Sequence, residues 1–193
     1  KELNGLGDAV SYARYHVGRE PFVLMLGDTL MGSDDIRRPI TKQMLDAFES
    51  HHGSIVAVEE VPHDKVERYG IIGGELIETD LYKLDTLIEK PSQEKAPSNL
   101  AIAGRYIFTA EIFDYIDTTP PGKNGEIQLT DAMARMLKDH EMYALNFHGT
   151  RYDIGNKLDF LKTNVIFGLE REDLGAEFRE FILSTADQLR GDQ

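Results

Sequence analysis

The stretch PFVLMLGD, residues 21–28, places five apolar residues directly before a glycine and an aspartate. An uninterrupted apolar run of this kind predicts a strand that is buried on both faces, as the strands of parallel sheets are. A helical apolar stripe follows in residues 40–53, and a second apolar strand, SIVAVEEVP, follows at residues 54–62. The order strand, helix, strand predicts an α/β fold with a mixed, largely parallel sheet flanked by helices.

The rest of the chain adds an antiparallel segment and a helical end. Residues 69–91, YGIIGGELIETDLYKLDTLIEKP, contain short apolar runs separated by glycines and a polar turn, which predicts an antiparallel hairpin. NLAIAGRYIF, residues 99–108, predicts a strand that returns to the core. Two stretches with apolar stripes, residues 151–173 and 175–189, predict a C-terminal helical tail.

The composition limits the kinds of ligand that the chain can bind. It has 21 basic and 34 acidic residues and a net charge of −13, which argues against nucleic acid as a partner. A phosphate ligand must then be bound by a placed lysine, by backbone N–H groups or by a metal. The absence of cysteine excludes disulfides and suits the cytoplasm. No run approaches the roughly 18 apolar residues of a membrane span, so we expect no membrane partner.

Asp28 is the first candidate site residue. It follows an apolar strand, so it should emerge at the carboxyl end of that strand, where open α/β sheets bind ligands. Gly27 before it would let a ligand approach the backbone, and a carboxylate at this position suits a hard cation such as Mg²⁺. The alternative is an aspartate that only caps a helix or stabilises a turn.

Asp153 is a second candidate of the same kind. It stands in RYDIGNK, residues 151–157, after a predicted strand and before a glycine and a helix. Two acids at the ends of two strands, Asp28 and Asp153, could share one metal ion. The alternative for Asp153 is an ordinary Asx turn that caps the helix.

Glu89, Lys90 and Pro91 place an acid beside a base and fix the chain after them. A carboxylate can accept hydrogen bonds from two sugar hydroxyls, while a neighbouring ammonium can neutralise a phosphate. The proline restricts the backbone of Lys90. The alternative is a solvated surface pair, which would contribute at most about 1 kcal/mol to stability.

Glycines and helix caps give weaker signals. Gly5 and Gly7 precede a helical stripe and could expose N–H groups to a base or a phosphate, although a glycine-rich loop alone is weak support for a site. In LTDAMARMLKDH, residues 129–140, Thr130 or Asp131 stands where a helix cap is expected.

Seven motifs together resemble one enzyme family. They are GLGDAV (5–10), MLGDTLM (25–31), RYGII (68–72), LIEKP (87–91), APSNLAIAGRYIF (96–108), GEIQLTDA (125–132) and YDIGNK (152–157). Their order and spacing resemble the bacterial UTP–glucose-1-phosphate uridylyltransferases, also called UDP-glucose pyrophosphorylases. The resemblance covers nearly the whole chain and implies a Rossmann-like nucleotidyltransferase sheet. The motifs PSNLAIAGRY and GEIQLTDA favour this family over the related thymidylyltransferases.

The resemblance implies roles for the candidate residues at the nucleotide. Gly5 would contact the uracil through its backbone, and Asp28 and Asp153 would hold Mg²⁺ against the phosphates of UTP. Homo-oligomers are common in the family, and we expect one for the intact protein.

The resemblance also implies roles at the sugar. Gly70 would meet glucose with its N–H group, Glu89 would bind glucose hydroxyls, and Lys90 would bind the phosphate of glucose 1-phosphate. The sugar phosphate would attack the α-phosphorus of UTP in line and form UDP-glucose and pyrophosphate. No protein nucleophile or general base is needed, because the attacking oxygen is already anionic.

One family feature is missing from this sequence. The family begins with a strand and a glycine-rich loop that carries an Arg and a Lys for the nucleotide, and no such loop stands before Gly5. We therefore expect residues 1–155 to be part of a nucleotidyltransferase domain and residues 156–193 to be C-terminal helices, within the same domain or as an oligomerisation tail. The piece alone should turn over UTP poorly and should expose apolar sheet edges.

Two alternatives remain open at this point. The chain could serve another sugar-1-phosphate nucleotidyltransferase reaction, such as that of a thymidylyltransferase. It could also be an inactive binding or assembly module that pairs subunits through its terminal helices.

Overall fold

A computed structural model of the chain describes residues 4–191, apart from the side chain of Lys123. The strands among these residues are β1 (Phe22–Met25), β2 (Thr29–Ser33), β3 (Ser54–Glu60), β4 (Gly70–Glu78), β5 (Leu81–Glu89), β6 (Leu100–Phe108), β7 (Met142–Asn146) and β8 (Gly149–Asp153). The α-helices are α1 (Leu6–Ser11), α2 (Arg14–Val17), α3 (Ile40–His51), α4 (Ile112–Thr118), α5 (Leu129–Met136), α6 (Lys157–Glu170) and α7 (Gly175–Gly191). Short 3-10 helices span His63–Arg68, Gln93–Lys95 and Lys123–Gly125.

Six strands form one sheet in the order β1-β6-β3-β7-β5-β4, and β2 pairs with β8 in a second, two-stranded sheet. The predicted mixed α/β fold with flanking helices is confirmed. The parallel share of the sheet is smaller than expected, however. Within the described part of the larger sheet, β3 and β7 pair in parallel and the other neighbours pair antiparallel.

The strand β6 explains this difference. Both β1 and β3 pair antiparallel with β6, so they run in the same direction, as the apolar runs predicted, but they do not pair with each other. The predicted hairpin of residues 69–91 is present as β4 and β5, which contributes a further antiparallel pair.

The strand β1 differs from its prediction in burial. Among the described strands it pairs with β6 alone, and it forms one end of the six-stranded sheet. Its side chains alternate, and Val23 and Met25 are 38% and 57% exposed. The expectation of a strand buried on both faces is therefore wrong for β1, because an apolar run does not reveal which strand lies at an edge. The predicted exposure of an apolar sheet edge is present at this strand.

Helices cover both faces of the large sheet. On one face, Val56 of β3 and Phe108 of β6 pack with Phe113 of α4 and Met133 of α5 in one hydrophobic cluster. Successive residues of a strand point to opposite faces, so the buried pair Ile55 and Ile107 faces the other way. There α3 packs against β3 and β6.

The described residues group into two compact units. The first contains residues 4–26 and 32–150 and holds the large sheet and α1 to α5. The second contains residues 27–31 and 151–191, in which α6 packs against α7. The boundary predicted between residues 155 and 156 stays a prediction. None of the helices within residues 4–191 combines the length and the apolar character that a membrane-spanning helix needs.

Candidate functional site

The acid–base pair lies at the end of β5. Glu89 is the last residue of this strand and pairs with Gly70, the first residue of β4. Lys90 has a φ of 46°, in the left-handed region, and its N–H donates to the carbonyl of Tyr69 at 2.9 Å. Neighbouring residues of a regular strand point to opposite faces. The left-handed residue interrupts that alternation, and Lys90 Nζ lies 3.3 Å from Glu89 Oε1.

The pair is not an ordinary solvated turn. The Glu89 side chain is 13% exposed and the Lys90 side chain 37% exposed. A left-handed conformation costs a non-glycine residue about 1–2 kcal/mol, and the following residue, Pro91, disfavours helical backbone at Lys90 as well. Strain of this kind persists only where the surrounding structure enforces it, and such positions cluster at functional sites.

The first turn of α5 lies beside this pair. A β-carbon placed on Gly70 would lie 2.9 Å from Thr130 Oγ1, so the hydroxyl packs against the start of β4. Burial and the negative charge of Glu89 raise the pKa of the Asp131 carboxyl. We call the group Gly70, Glu89, Lys90, Thr130 and Asp131 the strand-end site.

The sequence did not identify two members of the strand-end site. Thr130 and Asp131 were expected to cap α5, but the cap residue is Gln128, and both lie inside the first helical turn. A Thr-Asp pair at the start of an apolar helix can cap the helix or bind a ligand, and the sequence pattern is the same in both cases. The one signal in the sequence was the apolar spacing of Leu129, Ala132 and Met133, which leaves Asp131 off that apolar stripe.

Gly5 packs against the chain just before α5. Its φ is 102°, and a β-carbon there would lie 2.8 Å from Glu126 Cβ. Ile127 donates to the carbonyl of Asn4 at 2.7 Å and accepts from Gly7 N–H at 2.9 Å. Glycine is therefore required at position 5 by close backbone approach. The motifs GLGDAV and GEIQLTDA, far apart in sequence, are in contact.

The two candidate metal ligands lie together in the second unit. The Ile154 N–H donates to the carbonyl of Asp28 at 2.9 Å. A β-carbon on Gly155 would lie 3.3 Å from Asp28 Oδ2 and 3.3 Å from Asp153 Oδ1, so both carboxylates lie beside Gly155. We call Asp28 and Asp153 the aspartate pair. Gly27, before Asp28, is exposed, and a β-carbon placed on it would meet none of the described atoms within 4 Å, so its backbone is open to a ligand.

The aspartate pair has the donor type that Mg²⁺ prefers. Two carboxylates leave the remaining coordination positions for water and substrate phosphates, which is the usual arrangement for Mg²⁺. Within residues 4–191, no group of three or more acidic or histidine side chains is placed to hold a metal. Asp153 Oδ1 also accepts from Gly155 N–H at 3.1 Å, so the Asx turn of its alternative is present, but the residue that caps α6 is Asn156.

The strand-end site and the aspartate pair belong to different units of the chain. The structure brings together Gly70, Glu89 and Lys90 in one unit, and Asp28 and Asp153 in the other. The roles of these residues with substrates stay predictions, as does their convergence in one cleft.

The chain is similar to known nucleotidyl transferases over most of its length. The family model described as nucleotidyl transferase matches residues 1–167. A UTP–glucose-1-phosphate uridylyltransferase of Streptococcus pneumoniae serotype 4 is 44% identical over 187 residues, 96% of this chain and 62% of the relative. The enzyme of the same name from Staphylococcus epidermidis is 43% identical over 182 residues, 94% of this chain and 62% of the relative. The chain thus spans 62% of the length of these relatives.

Solved structures of UDP-glucose pyrophosphorylases are also similar to this chain. A UDP-glucose pyrophosphorylase complexed with UDP-glucose superimposes with a TM-score of 0.84 and 41% identity, over 89% of this chain and 64% of the other. A UDP-glucose pyrophosphorylase of Acinetobacter baumannii superimposes with a TM-score of 0.85 and 34% identity, over 96% of this chain and 63% of the other.

Proposed function

Because the chain belongs to the nucleotidyl transferase family, we propose that it serves the formation of UDP-glucose and pyrophosphate from UTP and glucose 1-phosphate. The observation that carries this proposal is the Glu89–Lys90 pair, held in one place by a left-handed Lys90. Hexose 1-phosphates carry hydroxyl donors beside a phosphate, and a carboxylate beside an ammonium is complementary to both. The names of the relatives above support the same substrates.

The strand-end site would bind the sugar. Glu89 accepts hydrogen bonds from glucose hydroxyls, and Lys90 neutralises the phosphate of glucose 1-phosphate. The Gly70 N–H group donates to the sugar, where a side chain would collide with Thr130. When the phosphate draws the Lys90 ammonium towards itself, Glu89 loses its partner and is free to accept from the ligand.

The reaction needs positioning and charge neutralisation more than proton transfer. An oxygen of the sugar phosphate forms a bond to the α-phosphorus of UTP, and the bond from that phosphorus to the bridging oxygen breaks to release pyrophosphate. The attacking oxygen is already anionic, so no general base is required. Lys90 holds this oxygen in position, and Gly5 borders the base through its backbone.

We propose that the aspartate pair holds Mg²⁺ and that Gly27 lets the nucleotide approach Asp28. The bound metal would neutralise the charge of the phosphates. The position of both carboxylates beside Gly155 supports this proposal.

The proposal also covers the oligomeric state and the cellular location of the protein. We propose a homo-oligomer, because α6 and α7 expose several large apolar side chains. They are Leu158, Phe160, Leu161, Phe167, Phe181, Leu183 and Leu189. We also propose a cytoplasmic location, since a chain without cysteine suits a reducing compartment.

Calorimetric titration of this 193-residue chain tests the proposed substrates. UDP-glucose should bind more tightly than UDP-galactose or dTDP-glucose, and more tightly with Mg²⁺ than without it. Lys90→Ala should weaken UDP-glucose binding roughly 10- to 100-fold, since a hydrogen bond to a charged group contributes about 1.5–3 kcal/mol.

Lys95→Ala is the matched control, because it removes an exposed lysine from a short 3-10 helix. Its affinity for UDP-glucose should equal that of the unmodified chain. No heat with any of the three nucleotide sugars would favour the assembly module instead. Tighter binding of dTDP-glucose would favour a thymidylyltransferase.

A further inference from the structure

The strand β6 is irregular directly before Arg105. Val56 and Val58 lie two residues apart in β3, but their partners in β6, Tyr106 and Ile102, lie four residues apart. The extra residues include Gly104, whose φ of 76° is in the left-handed region. Bulges of this kind redirect side chains and are frequent next to functional sites. The irregularity therefore sets the direction of Arg105.

The guanidinium of Arg105 has few hydrogen-bond partners among the described residues. Nη1 donates to Thr41 Oγ1 at 3.1 Å, which joins β6 to the first turn of α3. Nε is buried and has no hydrogen-bond partner among residues 4–191. Burial lowers the pKa of Arg105, and no charged neighbour in the described part of the chain opposes this effect. Thus a partly buried cation has a single hydroxyl as its partner there.

The lack of an acidic partner is unusual for this chain, whose net charge is −13. A partly buried charge without a counter-charge destabilises a fold, so arginines at such positions are normally paired with carboxylates. Even two exposed basic residues close to Thr41 in sequence, Arg38 and Lys42, have such a partner, because both bind Asp46. Arg105 does not follow it.

We propose that Arg105 and Thr41 form a binding site for a phosphoryl oxyanion of a small molecule. The guanidinium presents its donors in a planar fork that matches two phosphate oxygens, and the Thr41 hydroxyl can donate to a third. A phosphoryl group bound at the guanidinium would supply the missing negative charge. The site lies within the first unit and does not depend on the strand-end site or on the identity of the sugar.

Nuclear magnetic resonance of the unmodified chain tests the site directly. The Nε–Hε signal of Arg105, assigned from its loss in Arg105→Lys, should shift and saturate as sodium pyrophosphate is added at constant ionic strength. The signal of Arg38 should not follow the same curve. A parallel titration with orthophosphate shows which ligand the site prefers. Tighter binding of orthophosphate would indicate a single phosphoryl group, and tighter binding of pyrophosphate would indicate a diphosphate. An Arg105 signal that stays unchanged with both anions would overturn the proposal.

Thermal unfolding of variants adds a second readout. Pyrophosphate should raise the Tm of the unmodified chain above that in sodium chloride of equal ionic strength, and Arg105→Met should abolish this increase. Without pyrophosphate, Arg105→Met should keep or raise the Tm, because it removes a partly buried charge that has no counter-charge among the described residues. A purely structural arginine would instead lower the Tm on substitution.

Arg38→Met is the matched control, since it removes an exposed arginine of the loop before α3 and should leave the response to pyrophosphate intact. Arg105→Lys should retain a weaker response, because lysine keeps the charge without the fork. An Arg105→Met variant that responds to pyrophosphate like the unmodified chain would contradict the proposal. Should that variant fail to fold, the titration of the unmodified chain still decides.

Discussion

At the scale of single residues, Lys90 has a side chain placed for binding and a backbone conformation that is unfavourable for lysine. Its left-handed φ of 46° brings its ammonium to Glu89, although that backbone conformation is unfavourable for lysine. Such a conflict is expected at a site where the position of a side chain matters more than local stability. The left-handed conformation itself can be tested without any ligand.

Replacing Lys90 by glycine or alanine separates conformation from charge. Lys90→Gly should be more stable than Lys90→Ala by about 1 kcal/mol in urea unfolding, because only glycine adopts a φ of 46° without a steric penalty. Both variants should lose affinity for UDP-glucose, since both lack the ammonium. Equal stability of the two variants would mean that residue 90 has ordinary backbone geometry.

Asp131 gives a pH-dependent prediction. Burial and then the charge of Glu89 raise the pKa of the Asp131 carboxyl in the folded chain. The folded chain therefore favours the protonated form. Protonated Asp131 therefore contributes to the free energy of unfolding. This contribution is complete below the unfolded pKa of about 3.9 and is lost as the pH rises through the higher pKa of the folded chain.

Asp131→Asn should consequently raise the free energy of unfolding at pH 7, by up to about 1 kcal/mol because the carboxyl is only partly shielded from solvent. The gain should vanish near pH 4, where the native carboxyl takes up its proton. Urea unfolding at both pH values measures the difference. Asp34→Asn, in an exposed loop, is the control and should show no such pH dependence. A less stable Asp131→Asn at pH 7 would contradict the assignment.

Sequence reasoning reached part of the strand-end site. The adjacency of Glu89 and Lys90 before Pro91 was sufficient to predict an acid and a base at one place. The contact between their side chains depends on a left-handed backbone at Lys90, and a lysine does not signal that conformation in sequence. Thr130 and Asp131 were missed because helix caps and ligand sites use the same polar residues.

At the scale of secondary structure, Gln43 connects α3 to the loops around it. Its buried side chain donates through Nε2 to the carbonyls of Arg38 and His148, at 3.0 Å and 3.1 Å. Its Oε1 accepts from the His148 N–H at 3.0 Å. One amide therefore satisfies three backbone groups on two separate loops. Buried groups of this kind are costly to leave unpaired.

Gln43→Leu should lower the free energy of unfolding by about 2–4 kcal/mol, since leucine fills similar space but leaves those backbone groups without partners. The effect should be measurable as a lower Tm and a lower urea midpoint. Gln188→Leu, on the exposed surface of α7, is the control and should change stability by about 0.5 kcal/mol or less. A small effect of Gln43→Leu would mean that water or a shifted loop replaces the amide.

The type of each main strand was predictable, but its neighbours were not. The apolar runs at β1, β3 and β6 are local signals, and all three strands are present. Placing β6 between β1 and β3 depends on contacts between residues 40 or more positions apart, which no local pattern encodes. For the same reason the apolar run of β1 gave no sign that this strand lies at an edge.

At the scale of the whole molecule, the acidic surface and the apolar helices bear on how copies of the chain associate. A net charge of −13 opposes association, whereas exposed apolar side chains on α6 and α7 favour it. Between these helices lies an apolar cavity of about 430 Å³. Gly168, Leu174, Glu177, Phe178 and Phe181 line it. Phe181 is 61% exposed at this cavity, so a second copy of the chain could bury it.

Substitution of Phe181 therefore tests whether the proposed homo-oligomer forms through α6 and α7. Sedimentation velocity of the unmodified chain should show self-association that increases with protein concentration and decreases little with added salt, because apolar contacts are not screened. Phe181→Glu should sediment as a 21.8 kDa monomer, since it places a charge in the apolar contact. Gln188→Glu adds the same charge to α7 without removing apolar surface, and it should associate like the unmodified chain. A monomeric unmodified chain, or association that Phe181→Glu leaves intact, would contradict an interface at these helices.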